Sequence, residues 1–312
     1  MSASPLIQVD ELRRLLAGPD RRRPVVLDVR FRLGESTGRQ EFERAHVPGA
    51  SYVDLDTELA TIRPDGAGGR HPMPTVETFT AAMRSAGVTM SRGVVAYDDW
   101  ASLPASRVWW MLRHHGFPDV RVLDGGIAAW TTADYPTECG PRTHMVGDFS
   151  PDGPGIGRLL DAKDAADYAA AHLLFDARTA DRFRGQNETI DAVAGHIPGA
   201  LSAPALDNVD PSGRFLPAEQ LASLFRQRGL AGASRSADPT STAEATGTAH
   251  ASAATDATGA TNASELGTYC GSGVQATHLA LALSVAGITD SADVYIGSWS
   301  DWITDPARPI ST

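Results

Sequence analysis

Cys270 begins a short glycine-rich loop in which Gly271, Ser272 and Gly273 follow it directly. The loop lies between an apolar run that we predict to be a strand and an apolar helix predicted over about 274–286. Backbone N–H groups at the start of a helix are unpaired, and the helix dipole is positive there. These surroundings favour the thiolate, which is the nucleophilic form of cysteine. The sequence therefore predicts one reactive sulfur, and it predicts no metal or other cofactor.

The other cysteine, Cys139, stands in a stretch rich in proline and glycine, without such a loop. A lone cysteine is more often a small buried hydrophobic residue than a nucleophile. The glycines and serine after Cys270 favour the functional interpretation, because a core cysteine needs no anion-binding groups beside it. Two cysteines in unlike surroundings do not predict a disulfide, so we expect a reduced, cytoplasmic setting.

Composition limits the function classes. A chain of 312 residues is long enough for two domains. Its net charge of −11, from 27 basic and 38 acidic side chains, argues against a nucleic-acid-binding surface over the whole protein. No apolar run approaches the ~20 residues that span a bilayer, and the N-terminus lacks the hydrophobic region of a signal peptide. We expect neither nucleic acid nor membrane as a partner, and we expect a monomer.

The chain also repeats itself. Five segments recur in the same order: 26–30 in 174–178, 45–50 in 195–200, 77–88 in 219–230, 97–98 in 269–270, and 123–130 in 295–302. We interpret the chain as two copies of one module, a first module at 1–140 and a second module at 158–312. A linker rich in proline and glycine joins them at 141–157.

Two segments interrupt the repeat. The first module has a longer loop around residues 63–72, and the second gains a tract rich in Ala, Ser and Thr at about 233–264. This tract has no aromatic residue, so it cannot bury enough surface to offset its ordering entropy. We expect a disordered insertion on the surface.

Short apolar runs alternate with amphipathic patterns in both modules. Strands are predicted at 24–29, 93–97, 120–123 and 266–269, and helices at 10–17, 75–86 and 106–115, with Asp10 and Thr75 as caps. This alternation predicts an α/β fold in which each module is a parallel β-sheet flanked by helices on both faces. Ligands bind at the carboxyl ends of strands in such sheets, where Cys270 lies.

The two copies differ where chemistry is expected. The position that matches Cys270 is Asp98 in the first module, and residues 99–104 after it contain no Gly-Ser-Gly sequence. We therefore predict that the second module is catalytic and that the first forms a wall of the site. The residues that recur in both copies are interpreted as structural: His46 and His196, Asp28 and Asp176.

Several motifs together resemble the two-domain rhodanese sulfurtransferases, over almost the whole chain except 233–264. They are the tandem module, the two His-(Val/Ile)-Pro-Gly-Ala motifs, Asp98 opposite Cys270, and the segments 108–111, 124–126 and 297–302. The resemblance implies that Cys270 accepts a sulfane sulfur as a persulfide and passes it to a thiol, with thioredoxin as one candidate, or to cyanide. A non-enzymatic sulfur carrier or interaction module is the alternative.

The loop sequence bears on the sulfur donor. Cys-Gly-Ser-Gly-Val is similar to the loop of the 3-mercaptopyruvate sulfurtransferases, and the resemblance makes Gly271, Gly273 and Val274 donor-binding residues. Thiosulfate-using rhodaneses typically carry arginine and lysine at the positions of Gly271 and Ser272. The resemblance therefore favours 3-mercaptopyruvate, with a thiosulfate-specific enzyme as the alternative.

Arg182 matches the arginine that binds the substrate carboxylate in the family. The second family arginine normally falls a few residues later, but residues 187–191 contain no basic side chain. Arg184 is the candidate that replaces it. Guanidinium groups bind carboxylates through two parallel hydrogen bonds.

The resemblance also implies a proton relay of Ser272, His71 and Asp56, with Asp54 as an equally near carboxylate. His71 lies in the loop that only the first module lengthens, which supports a role across the modules. Related phosphatases carry a Cys-x5-Arg loop, but here the sixth residue after the cysteine position is Ala276 in place of arginine. The sequence therefore argues against a phosphatase.

Overall fold

The computed structural model describes residues 4–35, 37–141, 145–153, 155–230 and 266–312. The insertion predicted at 233–264 lies outside the described residues, as do residues 142–144 and 154 of the predicted linker.

The described residues form two parallel sheets, one in each module. Strands of the first sheet are β1 (Leu6–Ile7), β2 (Val25–Asp28), β3 (Ala50–Tyr52), β4 (Val94–Tyr97) and β5 (Val120–Leu123). Strands of the second are β6 (Leu173–Asp176), β7 (Leu201–Ser202), β8 (Leu266–Tyr269) and β9 (Asp293–Val294). Their spatial orders are β1-β5-β4-β2-β3 and β7-β6-β8-β9, with parallel pairing throughout. The second sheet thus repeats four strands of the first, and every predicted strand is found within one residue of its predicted ends.

Helices cover the sheets. They are α1 (Val9–Ala17), α2 (Gly38–Arg44), α3 (Val76–Ser85), α4 (Leu103–His114), α5 (Gly126–Thr132), α6 (Ala162–Ala171), α7 (Ala180–Phe183), α8 (Ala218–Gln227), α9 (Val274–Val285) and α10 (Ser298–Trp302). Within the described ranges, none of these helices has the length and apolar character to cross a membrane.

Local sequence explains where the predicted helices begin. Thr75 caps α3, because its hydroxyl accepts the N–H of Thr78 at 3.2 Å. The prediction that Asp10 caps α1 is wrong: the cap is Gln8, and Asp10 lies inside the first turn, where its charge favours the helix dipole. Helix α4 begins three residues earlier than predicted, since Pro104 fits a first turn that needs no N–H donor there.

Helices α4 and α9 pack against each other and join the modules. Helix α4 follows β4, which ends just before Asp98, and helix α9 follows β8, which ends just before the matching residue Cys270. Their apolar side chains, including Trp109, Trp110 and Leu279, belong to one buried core that extends through both modules. This packing brings the loop after β8 to the boundary between the modules.

The recurring histidines and aspartates make the same contacts in both modules. Each histidine bonds a backbone carbonyl through Nδ1, at 2.8 Å for His46 and 2.7 Å for His196. Each aspartate is buried and pairs with the arginine two residues later: Asp28 with Arg30, and Asp176 with Arg178. The duplicated contacts agree with the structural interpretation of these residues.

Candidate active site

Cys270 lies directly after β8, at the start of what we call the sulfur loop, residues 270–274. Its sulfur accepts the backbone N–H of Gly273 at 3.0 Å and of Ser272 at 3.4 Å. Gly273 has a φ of 81°, in the left-handed region that favours glycine, and a Cβ there would overlap the carbonyl oxygen of Ile296. Val274 begins α9. The loop therefore holds two amides and a helix N-terminus against the sulfur.

Cys270 is only 1% exposed, and Ser298 fixes its backbone from α10. The Ser298 hydroxyl accepts the N–H of Cys270 at 3.0 Å, donates to the Tyr295 carbonyl at 2.8 Å, and lies 3.9 Å from the sulfur. Sequence reasoning missed this residue, although it belongs to the 297–302 segment that carries the family resemblance.

The three predicted relay residues meet across the modules. His71 Nδ1 lies 2.9 Å from the Ser272 hydroxyl, and His71 Nε2 lies 3.2 Å from Asp56 Oδ1. Asp54 is directed elsewhere, since its carboxylate accepts the N–H groups of Asp56 and Thr57. Of the two candidate carboxylates, Asp56 is therefore the one that contacts the imidazole.

His71 is 4% exposed, in contrast to a solvated loop histidine. Burial lowers its pKa below the ordinary value of 6.5, and the nearby charges of Arg107 and Arg70 act in the same direction. The hydrogen bond to Asp56 opposes them. The imidazole is therefore neutral at neutral pH, so that it can both accept and donate a proton.

Two arginines flank the sulfur loop at Gly271. A Cβ built at Gly271 would lie 2.9 Å from Arg70 Nη2 and 3.7 Å from Arg182 Nη1. Arg182 comes from the second module, as the sequence predicts, whereas Arg70 comes from the long loop of the first module. Arg184 is exposed at the end of α7. The second arginine beside the loop is therefore Arg70 and not Arg184, which corrects the predicted replacement.

Two carboxylates hold these arginines. Arg182 donates to Glu188 at 2.9 Å and to Asp191 at 2.8 Å, and Arg70 also pairs with Asp191. The Asp191 side chain is only 2% exposed. The stretch that lacks the second family arginine thus contributes two buried acids, which partly neutralise the guanidinium groups.

A cavity of about 550 Å³ opens between the modules at this place. Arg70, His71, Asp56 and Asp191 form part of its wall, whereas Cys270 does not. The polar residues of the site therefore separate the sulfur from the open cavity.

The first module contains a similar arrangement of amides around Asp98. Its carboxylate accepts N–H groups from Trp100 at 2.8 Å, Ser102 at 3.0 Å and Ala105 at 2.8 Å. Ala101 and Ser102 have φ values of 52° and 63°, so they adopt the left-handed turn without glycine. The first module therefore keeps an anion-binding loop without a Gly-Ser-Gly sequence, and the Asp98 carboxylate lies in it.

The fold and site define the class of protein. Residues 8–133 and 153–305 match the rhodanese-like domain family, and the chain belongs to this family. The predicted family and the predicted α/β fold of two rhodanese-like modules are confirmed.

Individual relatives extend this likeness over whole chains. The chain is 38% identical over 316 residues to a probable 3-mercaptopyruvate sulfurtransferase of Pseudomonas aeruginosa, covering 100% of this chain and 99% of the relative. It is 35% identical over 308 residues to a Mycobacterium tuberculosis protein with the provisional name thiosulfate sulfurtransferase SseB, covering 98% and 96%. The crystal structure of SseA from Escherichia coli, described with the fold and catalytic mechanism of 3-mercaptopyruvate sulfotransferases, superposes with a TM-score of 0.71 at 26% identity, covering 96% of this chain and 100% of SseA. These relatives are sulfurtransferases, the predicted enzyme class.

Proposed function

We propose that the protein moves a sulfane sulfur from a small anionic donor to a thiol or cyanide through a persulfide on Cys270. The observation that carries this proposal is the pair of backbone N–H groups, at 3.0 and 3.4 Å, directed at the Cys270 sulfur beside the start of α9. Such amides stabilise a thiolate, and they also stabilise the persulfide anion that is one sulfur longer. A covalent intermediate predicts ping-pong kinetics.

With 3-mercaptopyruvate the transfer balances as follows. The Cys270 thiolate attacks the donor sulfur, an S–S bond forms, and the donor C–S bond breaks. Its electron pair leaves on carbon as the enolate of pyruvate, which takes up the proton that the donor thiol carried. In the second half-reaction the acceptor attacks the outer sulfur, and the Cys270 thiolate is regenerated.

The relay of Ser272, His71 and Asp56 supports this donor. A neutral imidazole in contact with the Ser272 hydroxyl can take the proton from the donor thiol and return it to the enolate carbon. Asp56 orients the ring through Nε2. Such a relay suits 3-mercaptopyruvate, because its leaving group, the enolate of pyruvate, must be protonated.

The donor carboxylate would bind the guanidinium groups of Arg70 and Arg182. Gly271, Gly273 and Val274 would leave room for the outer sulfur and contribute backbone N–H groups around it. The Pseudomonas aeruginosa relative supports 3-mercaptopyruvate as the preferred donor.

Thiosulfate is the second candidate donor. Two guanidinium groups beside Gly271 suit a dianion, and the Mycobacterium tuberculosis relative carries thiosulfate in its name. Here the S–S bond of the donor breaks and sulfite leaves with the electron pair, so that no proton transfer is required. The acceptor would be cyanide or a thiol such as thioredoxin. A monomer in a cytoplasmic setting stays a prediction.

The test compares kcat/KM for the two donors with cyanide and with a thiol acceptor. We expect the higher value with 3-mercaptopyruvate, and donor-treated protein should gain about 32 Da on Cys270 but not on Cys139. Cys270→Ser should abolish transfer, and retained transfer would overturn the proposal. A persulfide that no acceptor removes would instead identify a sulfur carrier.

A further inference from the structure

Arg70 and Arg182 lie beside the sulfur loop, but they differ in the N–H groups that the protein itself occupies. Arg182 donates through Nε to Glu188 and through Nη2 to Asp191, at 2.9 and 2.8 Å. Arg70 pairs with Asp191 through Nη1, and within the described residues its buried Nε has no hydrogen-bond partner. Arg70 Nη2 lies 2.9 Å from the position of a Cβ at Gly271, next to the nucleophile. Arg70 therefore has donor capacity that a bound anion would use.

The acceptor meets the same arginine as the donor. Both halves of a ping-pong reaction use one sulfur, and Arg70 lines the cavity beside the sulfur loop, whereas the buried Cys270 does not. An acceptor that carries a carboxylate gains charge-assisted hydrogen bonds from the guanidinium, and a neutral acceptor does not. The persulfide is itself an anion, so an anionic acceptor also needs a cation that offsets the repulsion between the two. Arg70 is placed to supply both.

The length of the donor indicates where the charge of the acceptor must lie. In 3-mercaptopyruvate, two carbon atoms separate the sulfur from the carboxylate carbon. After the transfer, that sulfur is the outer sulfur of the persulfide, so the sulfur of the acceptor takes the place of the first of these carbons. One carbon then remains between the acceptor sulfur and a carboxylate bound at the arginines. The acceptor of matching length is thus a thiol with a carboxylate on the adjacent carbon.

We propose that Arg70 selects the sulfur acceptor by its charge, and that the preferred acceptor is a small thiol with a carboxylate one carbon from its sulfur. This inference rests on the proposed function, with 3-mercaptopyruvate as the donor. In the transfer, a bond forms between the acceptor sulfur and the outer sulfur, and the bond between the outer sulfur and Cys270 breaks. Its electron pair returns to Cys270 as the thiolate, and the proton of the acceptor thiol passes to the product persulfide.

The experiment measures how fast different thiols remove the sulfur from Cys270. The protein carries Cys139→Ser, so that one thiol is loaded, and it is treated with saturating 3-mercaptopyruvate and freed of excess donor. Mercaptoacetate, 3-mercaptopropionate and 2-mercaptoethanol then each react in a single turnover, followed by the loss of about 32 Da. Each rate is divided by the rate of the same thiol with a low-molecular-weight persulfide in solution, which removes differences in intrinsic nucleophilicity.

In the parent protein we expect the normalised rate with mercaptoacetate, the anion of matching length, to exceed that with neutral 2-mercaptoethanol by about tenfold. The rate with 3-mercaptopropionate, an anion that is one carbon longer, should lie between them. In Arg70→Gln the preference for the anions should largely disappear, whereas Arg70→Lys should keep most of it because it keeps the charge. The comparison of the three thiols in the parent protein decides if Arg70→Gln takes up no sulfur.

Arg63→Gln is the matched control, because Arg63 lines the same cavity but is exposed and lies 3.5 Å from Asp65; the preference should be that of the parent. Equal normalised rates for the three thiols in the loaded parent, or an equal loss of preference in Arg63→Gln and Arg70→Gln, would refute this inference alone. A faster reaction with 3-mercaptopropionate than with mercaptoacetate would contradict the inferred length. A parent protein that takes up no sulfur would refute the proposed function, and this inference with it.

Discussion

Cys270 and Asp98 hold matching positions, and each accepts backbone N–H groups from the turn that follows it. The same local geometry therefore receives a sulfur in one module and a carboxylate in the other. A carboxylate in this loop is a weak nucleophile that carries no transferable group, whereas a thiolate is a strong nucleophile. In the proposed function, the identity of this one side chain decides which module performs chemistry.

Replacing Asp98 by Asn tests the electrostatics of this loop. Burial raises the Asp98 pKa to about 6, against 3.8 for the free side chain. Between these values the folded state keeps a proton that the unfolded state has lost, so rising pH lowers the free energy of unfolding. Asn does not titrate, so from acid to neutral pH the wild type should lose about 3 kcal/mol relative to Asp98→Asn. Urea unfolding at several pH values measures the difference.

Asp134→Asn is the control for the Asp98 experiment, because Asp134 is an exposed carboxylate of the same module. Its stability should follow the wild type at every pH. A constant difference between Asp98→Asn and the wild type would mean that the pKa of Asp98 is the same in the folded and unfolded states.

His71→Gln should separate the two donors. With 3-mercaptopyruvate the enolate must be protonated, so loss of the imidazole should slow sulfur transfer to Cys270 by about 100-fold. Sulfite leaves thiosulfate without a proton, and that reaction should slow by less than about tenfold. Single-turnover rates with each donor measure both effects. Equal losses with the two donors would remove His71 from proton transfer.

At the scale of elements, the segment 188–191 holds two arginines of the site, Arg70 and Arg182, through ion pairs. The side chains of Glu188 and Asp191 are only 4% and 2% exposed, and together they bind Arg182, while Asp191 also binds Arg70. An incoming donor anion must compete with these carboxylates for the guanidinium N–H groups. These ion pairs therefore orient the arginines but weaken their attraction for a dianion.

Asp191→Asn should remove the competition between the Asp191 carboxylate and the donor anion. We expect KM for thiosulfate to fall by about three- to fivefold, the range of a partly screened ion pair, with a smaller change for a monoanionic donor. Steady-state kinetics with both donors measure the effect. Asp167→Asn removes the same charge from an exposed pair with Lys163 on α6 and should leave both KM values unchanged. A rise in KM would mean that orientation of the arginines outweighs competition.

Some elements of the site were predictable from sequence because their signals are local. An apolar run, a glycine-rich turn and an apolar helix predict β8, the sulfur loop and α9 within one residue. The lengthened loop indicated that His71 reaches the other module. Arg70 and Asp191 were not predictable as partners, because their contact depends on how the modules pack. The turn at Ala101 and Ser102 was also missed, since left-handed backbone without glycine is uncommon.

At the scale of the whole molecule, the site is assembled from both modules. The second module contributes Cys270, Ser272 and Arg182, and the first contributes His71 and the rest of the long loop. That loop is fastened to the second module through backbone N–H groups: Gly68 donates to Asp301 at 2.9 Å and Arg70 to Ser300 at 3.0 Å. In the proposed function, the module that carries the nucleophile therefore needs its partner module to complete the relay.

Gly69→Ala should disturb this assembly without unfolding either module. Gly69 has a φ of 81°, and a Cβ there would overlap the Gly297 carbonyl oxygen of the second module. Gly66 has a φ of 72° with nothing within 4 Å, so Gly66→Ala carries only the backbone strain, of about 1 kcal/mol. We expect Gly69→Ala to lower kcat/KM for 3-mercaptopyruvate by more than about tenfold, because displacement of the loop separates His71 from Ser272. Gly66→Ala should keep near-normal kinetics, and equal kinetics in the two variants would show that contact between the modules at Gly69 does not position the relay.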